Sequence, residues 1–100
     1  MTYDHALIAL SDPTRRRVFE RLRGGPKPVA EIAEGLPVSR PAVSQHLKVL
    51  LEAGLVRVTP DGARRVYQVD PDGMRDLRDW FEGFWDEALA QFKDAAERSP

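Results

Sequence analysis

The pattern of apolar and polar positions changes its period twice along the chain. Leu7, Ile8 and Leu10 mark a short first helix. Asp12-Pro13 then opens a second one, because an aspartate caps free N–H groups and proline suits a first turn. Val18, Phe19 and Leu22 form its inward stripe, and "GGPKP" stops it. Val29, Ile32, Ala33 and Leu36 make a third, short helix that Gly35 and Pro37 end. Ser39 caps a fourth, which runs to about Ala53 before Gly54. From Leu55 the period drops to two: Val56 and Val58 alternate with Arg57 and Thr59, and Tyr67 and Val69 flank Gln68. Asp61-Gly62 lies between the runs as a hairpin turn. "PDG" at 71–73 separates the hairpin from a last helix, Met74 to about Ala96.

The predicted order is helix, helix, helix-turn-helix, two-stranded hairpin, helix. This is a mainly α winged helix-turn-helix within one domain over 1–100. N-terminal helices occupy 3–24, the helix-turn-helix 28–53, the wing 55–70 and a C-terminal dimerisation helix 73–97. Leu77, Trp80, Phe81, Phe84, Trp85, Ala88, Leu89 and Phe92 cover more of the last helix than one small core can use. The extra width predicts a homodimer, with Tyr3 and Leu7 of the first helix joining that face. A close approach of helices would explain Gly83. The aromatic set Trp80, Phe84, Trp85 and Phe92 forms either a dry dimer core, the favoured reading, or an apolar pocket for a small-molecule effector.

Composition narrows the chemistry. The 100 residues contain no cysteine, which excludes disulfides, thiolate metal ligands and a cysteine nucleophile. His5 and His46 are too far apart for a ligand pair. No run is long enough to cross a bilayer, and "MTYDHALIAL" has no basic leader, so a cytoplasmic protein without membrane contact is expected. The overall charge of -1 conceals an asymmetry: residues 1–70 hold 11 Lys+Arg against 8 Asp+Glu, whereas 71–100 hold 4 against 8. A polyanion partner suits the first part. Arg15, Arg16, Arg17, Arg21, Arg23 and Lys27 belong to it, as DNA contacts or as a solvated helix face.

A helix sized for the major groove reads bases with its N-terminal, outward residues. On helix 39–53 these are Arg40, Pro41, Ser44, Gln45 and Lys48. Gln45 suits adenine, Arg40 guanine or phosphate, Ser44 a base edge or phosphate, Lys48 a phosphate, and Pro41 a thymine methyl. Ser39 is primarily a cap that can also present N–H groups to a phosphate, and His46 is expected to pack, with a phosphate contact second. Arg64 and Arg65 flank the wing turn, with Arg57 expected across from them, for the minor groove or its phosphates. An enzyme is not expected and ranks third: Ser44 and His46 face different ways, no carboxylate is placed to orient the histidine, and the sequence has no glycine-rich phosphate loop. A winged-helix module that binds protein rather than DNA is the alternative.

"ALSDPTRRRVFERL", "VAEIAEGLPVSRPAVSQHLKVLLEAGLV" and "GARRVYQVD" resemble the ArsR/SmtB winged-helix repressors of bacteria. Trp80, Trp85 and Leu89 are similar in spacing to a metal-independent branch. The resemblance implies a homodimer built from the first and last helices, acting on nucleoid DNA at an imperfect palindrome in its own promoter region, with repression relieved by an effector. The positions of that family's usual metal ligands hold no cysteine, and the last helix holds no histidine. No cofactor or metal is expected.

Overall fold

The computed structural model describes residues 2–98, with side chains from Asp4 onward. Five helices and three strands follow in the order α1 (Thr2–Ala9), α2 (Pro13–Glu20), β1 (Lys27–Pro28), α3 (Val29–Ala33), α4 (Arg40–Glu52), β2 (Val56–Asp61), β3 (Arg64–Val69) and α5 (Pro71–Arg98). Val18, Ile32, Val43, Leu47, Leu50 and Leu55 are wholly buried, and Val56, Tyr67 and Leu77 close the same core. No charged or polar side chain is buried with them among the described residues. One apolar core therefore joins α2, α3 and α4 to the wing and to the start of α5.

Local chemistry sets the helix ends. The Asp12 carboxylate accepts the Arg15 N–H at 3.0 Å, with Pro13 at the first helical position. At the end of α4, Leu55 N–H donates to Leu50 O and Gly54 N–H to Leu51 O, with Gly54 at φ +79. That paired pattern satisfies the last carbonyls and needs a left-handed residue. Asp12 is held below its ordinary value of 3.8, chiefly by the Arg15 N–H. The Thr14 N–H and the charges of Arg15 and His46 add to this, against some desolvation. A depressed carboxyl contributes stability above its unfolded value and loses it as pH falls through the folded one. Asp12→Ala is therefore expected to lower the thermal midpoint at neutral pH. Its gap to wild type should close as the pH falls below 3.8; a constant gap in a pH series of melts would contradict this.

Several basic residues hold helices together. Arg15 Nη1 donates to Ala9 O at 3.0 Å and Arg16 Nη1 to Leu10 O at 2.7 Å, both at the end of α1. Arg21 Nη1 donates to Glu34 O at 2.7 Å, where α3 ends. Each guanidinium meets carbonyls that a helix terminus leaves open.

The sheet has three strands in the order β1-β3-β2, one more than the periodicity revealed. Lys27 pairs with Tyr67 and Pro28 with Val66. Proline is tolerated there because β1 is an edge. The turn lies one residue later than expected: Asp61 is still paired, with Arg64, and Gly62-Ala63 form the loop. Gly62 has φ +61 and Ala63 a negative φ, which suits a turn with glycine at its first central position.

The last helix begins at Pro71, not at 73 or Met74. Asp70 accepts the Asp72 N–H at 3.0 Å, so "DPDG" is a cap and first turn. Gly73 sits where α5 meets the backbone after α4, and a Cβ there would lie 2.0 Å from Gly54 O. A helical stripe at Met74, Leu77, Phe81, Phe84/Trp85, Ala88 and Phe92 starts on the core and outruns it. Leu77 is 7% exposed, whereas Phe81, Phe84, Trp85, Leu89 and Phe92 stand open. The 28 residues of α5 span about 42 Å. The radius of gyration is accordingly 17.5 Å, against about 13 Å for a compact chain of this length.

Candidate nucleic-acid interface

The fourth helix carries the candidate reading face because its other side is fixed. Ser39 is extended and its hydroxyl accepts the Ala42 N–H at 3.3 Å, which starts the helix there. Val43, Leu47 and Leu50 are 0% exposed and leave α4 no freedom to rotate. The same helical period then turns Arg40, Pro41, Ser44, Gln45 and Lys48 to solvent. These five side chains donate no hydrogen bond and form no ion pair among the described residues. An amide, a hydroxyl, a guanidinium and an ammonium thus lie along about 12 Å of one open side. His46 is half-buried on the flank, close enough to Asp12 for its charge to act there.

The wing divides its arginines. Asp61 and Arg64 are paired, and Arg64 Nη2 lies 2.9 Å from the Asp61 carboxylate, both side chains largely exposed. An exposed pair of this kind is worth little and exchanges readily for another anion. Arg65, paired with Pro60, points to the other face of the hairpin. Arg57 does not lie across from them. It opposes Gln68, four residues before Asp61, which puts it about 13 Å back along the strand at the root of the wing.

The expected dimer residues also separate. Phe81, Phe84, Trp85, Ala88 and Phe92 are exposed on α5, and Trp80 is half-buried with edge contacts to Phe81 at 4.9 Å and Phe84 at 5.0 Å. Leu77 is a correction: it packs in the protomer's own core, because that stretch of α5 still lies over α1. Leu7 is half-buried against the core, and Tyr3 lies outside the described side chains. Gly83 lies two residues, about 200° of helix, from Trp85, off the apolar stripe, and a Cβ there meets nothing of the same chain within 4 Å. Ile8, 66% exposed on α1, is a further open apolar residue, on a depression shared with Val49 and Ala53 at the end of α4. Leu7 and Ile8 point about 100° apart on α1, and of the two Leu7 is the one turned toward the core.

A helix-turn-helix followed by a β-wing, with the second helix open along one polar side, defines the winged-helix class of DNA-binding proteins. Residues 10–59 match the family model described as "Helix-turn-helix domain". The chain is similar to the HTH-type transcriptional regulator Rv2034 of Mycobacterium tuberculosis, 56% identical over 89 residues, which cover 89% of this chain and 83% of that protein. It is also similar to the transcriptional repressor SdpR of Bacillus subtilis, 33% identical over 76% of this chain and 84% of the relative. A solved ArsR-like transcriptional regulator from Rhodococcus sp. RHA1 superposes with a TM-score of 0.73 at 29% identity, covering 98% of this chain and 95% of that one. The chain belongs to the ArsR/SmtB family of helix-turn-helix transcriptional regulators. It is a DNA-binding regulator and not an enzyme.

Proposed function

We propose that the protein is a homodimeric repressor that binds an imperfect palindrome in bacterial nucleoid DNA, with one α4 in the major groove at each half-site. The observation that carries this reading is the division of α4, whose Val43–Leu47–Leu50 side is sealed while its Arg40–Ser44–Gln45–Lys48 side is open. Gln45 lies in the N-terminal half of the helix, nearest the base edges, and its amide matches adenine. Arg40 and Ser44 serve base edges or phosphates, Pro41 a thymine methyl, and Lys48 a phosphate. Ser39 adds open N–H groups at the helix start. At the tip of the wing, Arg64 and Arg65 suit the minor groove or its phosphates. Arg57, at the root, is left out of this contact set.

The open stripe of α5 supports the dimer. Phe81, Phe84, Trp85, Leu89 and Phe92 form an apolar surface continuous with the protomer's core, which a second copy can cover. A two-fold pair of α4 helices then needs half-sites about 34 Å apart. The absence of cysteine from the sequence, and of histidine from α5, supports regulation without a metal.

A mobility shift on the protein's own upstream DNA tests the reading. Affinity should fall with salt in proportion to the number of phosphates met. Gln45→Ala should cost about 1–3 kcal/mol and relax preference at one base step. An equal loss on every sequence would show that Gln45 does not read a base, and no shift on any upstream palindrome would defeat the proposal.

A further inference from the structure

Many of the chain's guanidinium groups have a stated partner. Arg15, Arg16 and Arg21 bind carbonyls, and Arg64, Arg75, Arg78 and Arg98 meet carboxylates. Arg23 and Arg57 differ: among the described residues neither has a hydrogen bond or an ion pair. They come from distant parts of the sequence, yet the fold sets both on one cleft of about 520 Å³. Phe19 and Leu22 at the end of α2 and Met74 in the first turns of α5 supply an apolar wall. Gln68 stands beside Arg57 across the β2–β3 pair. No aspartate or glutamate lines the cleft.

Two unpaired cations, an amide and an apolar wall in a volume within the range of small-molecule sites, about 300–1,000 Å³, are complementary to an anion with an apolar body. A carboxylate has two oxygens, one for each guanidinium, and bonds of that kind are the strong ones. The cleft is not an extension of the reading face. Arg57 lies at the end of the wing remote from Arg64 and Arg65. The cleft also touches three elements at once: the end of α2, the root of the wing and the first turns of α5.

We propose that this cleft binds a small apolar carboxylate, its head between Arg23 and Arg57 and its body on Phe19, Leu22 and Met74, and that occupancy alters operator affinity. The second half rests on the DNA-binding function proposed above; the first does not. Coupling of this kind is reciprocal, so operator DNA changes carboxylate affinity by the same factor.

Calorimetric titration of the full chain without DNA tests the site, using decanoate, decanamide and inorganic phosphate as probes. Decanoate should saturate at one per chain, with decanamide weaker by about tenfold or more. Arg23→Gln and Arg57→Gln should each weaken decanoate about ten- to a hundredfold. Equal affinity for decanoate and decanamide, or undiminished decanoate binding in both variants, would overturn the site. Saturable phosphate binding as tight as that of decanoate would overturn the role of the apolar wall. In a mobility shift, decanoate should change the operator affinity of wild type but not of Arg23→Gln. Unchanged wild-type affinity with decanoate bound would refute the effector role alone. Failure of any operator binding would refute the DNA reading and that role together, while the titration still decides the site.

Discussion

Replacing Trp85 and Phe92 together by aspartate is expected to turn the proposed dimer into a folded monomer and to weaken operator binding by at least about a hundredfold. The two side chains are 64% and 74% exposed and rest on no core of their own protomer. Their loss therefore leaves the fold intact. In a dimer the same residues are buried twice over by symmetry, and aromatic side chains dominate such interfaces. An aspartate placed there loses that burial and must shed its hydration without a partner. The DNA effect follows from geometry rather than contact, since α5 contributes nothing to the reading face. Two half-sites bound together gain the effective concentration of a linked pair, typically worth 10²–10⁴ in affinity, roughly, and a monomer forfeits it. Light scattering, circular dichroism and a mobility shift give the three readouts. A wild-type monomer, or a variant monomer with undiminished affinity, would remove the dimer from the proposal.

Gly73→Ala is expected to cost about 3 kcal/mol, at the upper end of overpacking effects, and to lower the thermal midpoint by about 12–24 °C at fixed protein concentration. The added methyl would lie 2.0 Å from Gly54 O and 2.8 Å from Gly54 C. Both are backbone atoms just past the end of α4, so no side chain can swing aside. Gly83→Ala in the same helix is the matched control. Nothing lies within 4 Å of its new methyl, and the substitution should stabilise by about 1 kcal/mol through helix propensity. Equal effects of the two alanines would show that the α4–α5 contact is looser than described.

What the sequence disclosed was chemistry that acts between neighbours in the chain. Asp12, Ser39 and Gly54 announce helix ends because their side chains, or the lack of one, satisfy backbone groups a few residues away. The stripe on α4 was legible for the same reason, and so was its outward polar side. What stayed hidden depended on distant partners. Lys27 and Pro28 become a strand only because β3 offers them an edge, and two residues carry no period. "PDG" stands in the sequence as a separator, although Asp70-Pro71 repeats the signal of Asp12-Pro13; Gly73 misleads, since its cause is the backbone of Gly54. The basic run after Asp12 offered a DNA contact or a solvated face, and Arg15, Arg16 and Arg21 also donate to carbonyls at the ends of α1 and α3, bonds that the charge run alone does not announce. Arg57 is expected across from Arg64 and Arg65, but the strand register sets it opposite Gln68, four residues back from the Asp61–Arg64 pair.

Those three arginine ties bear on how the protein behaves as ionic strength rises. Each joins a permanent cation to a neutral peptide oxygen, and the interior beneath them holds no charge among the described residues. Mobile ions compete poorly for such bonds, whereas they compete directly for nucleic-acid phosphates. Electrolyte should therefore strip the regulator from DNA well before it loosens the scaffold, so that a salt titration counts phosphates and little else.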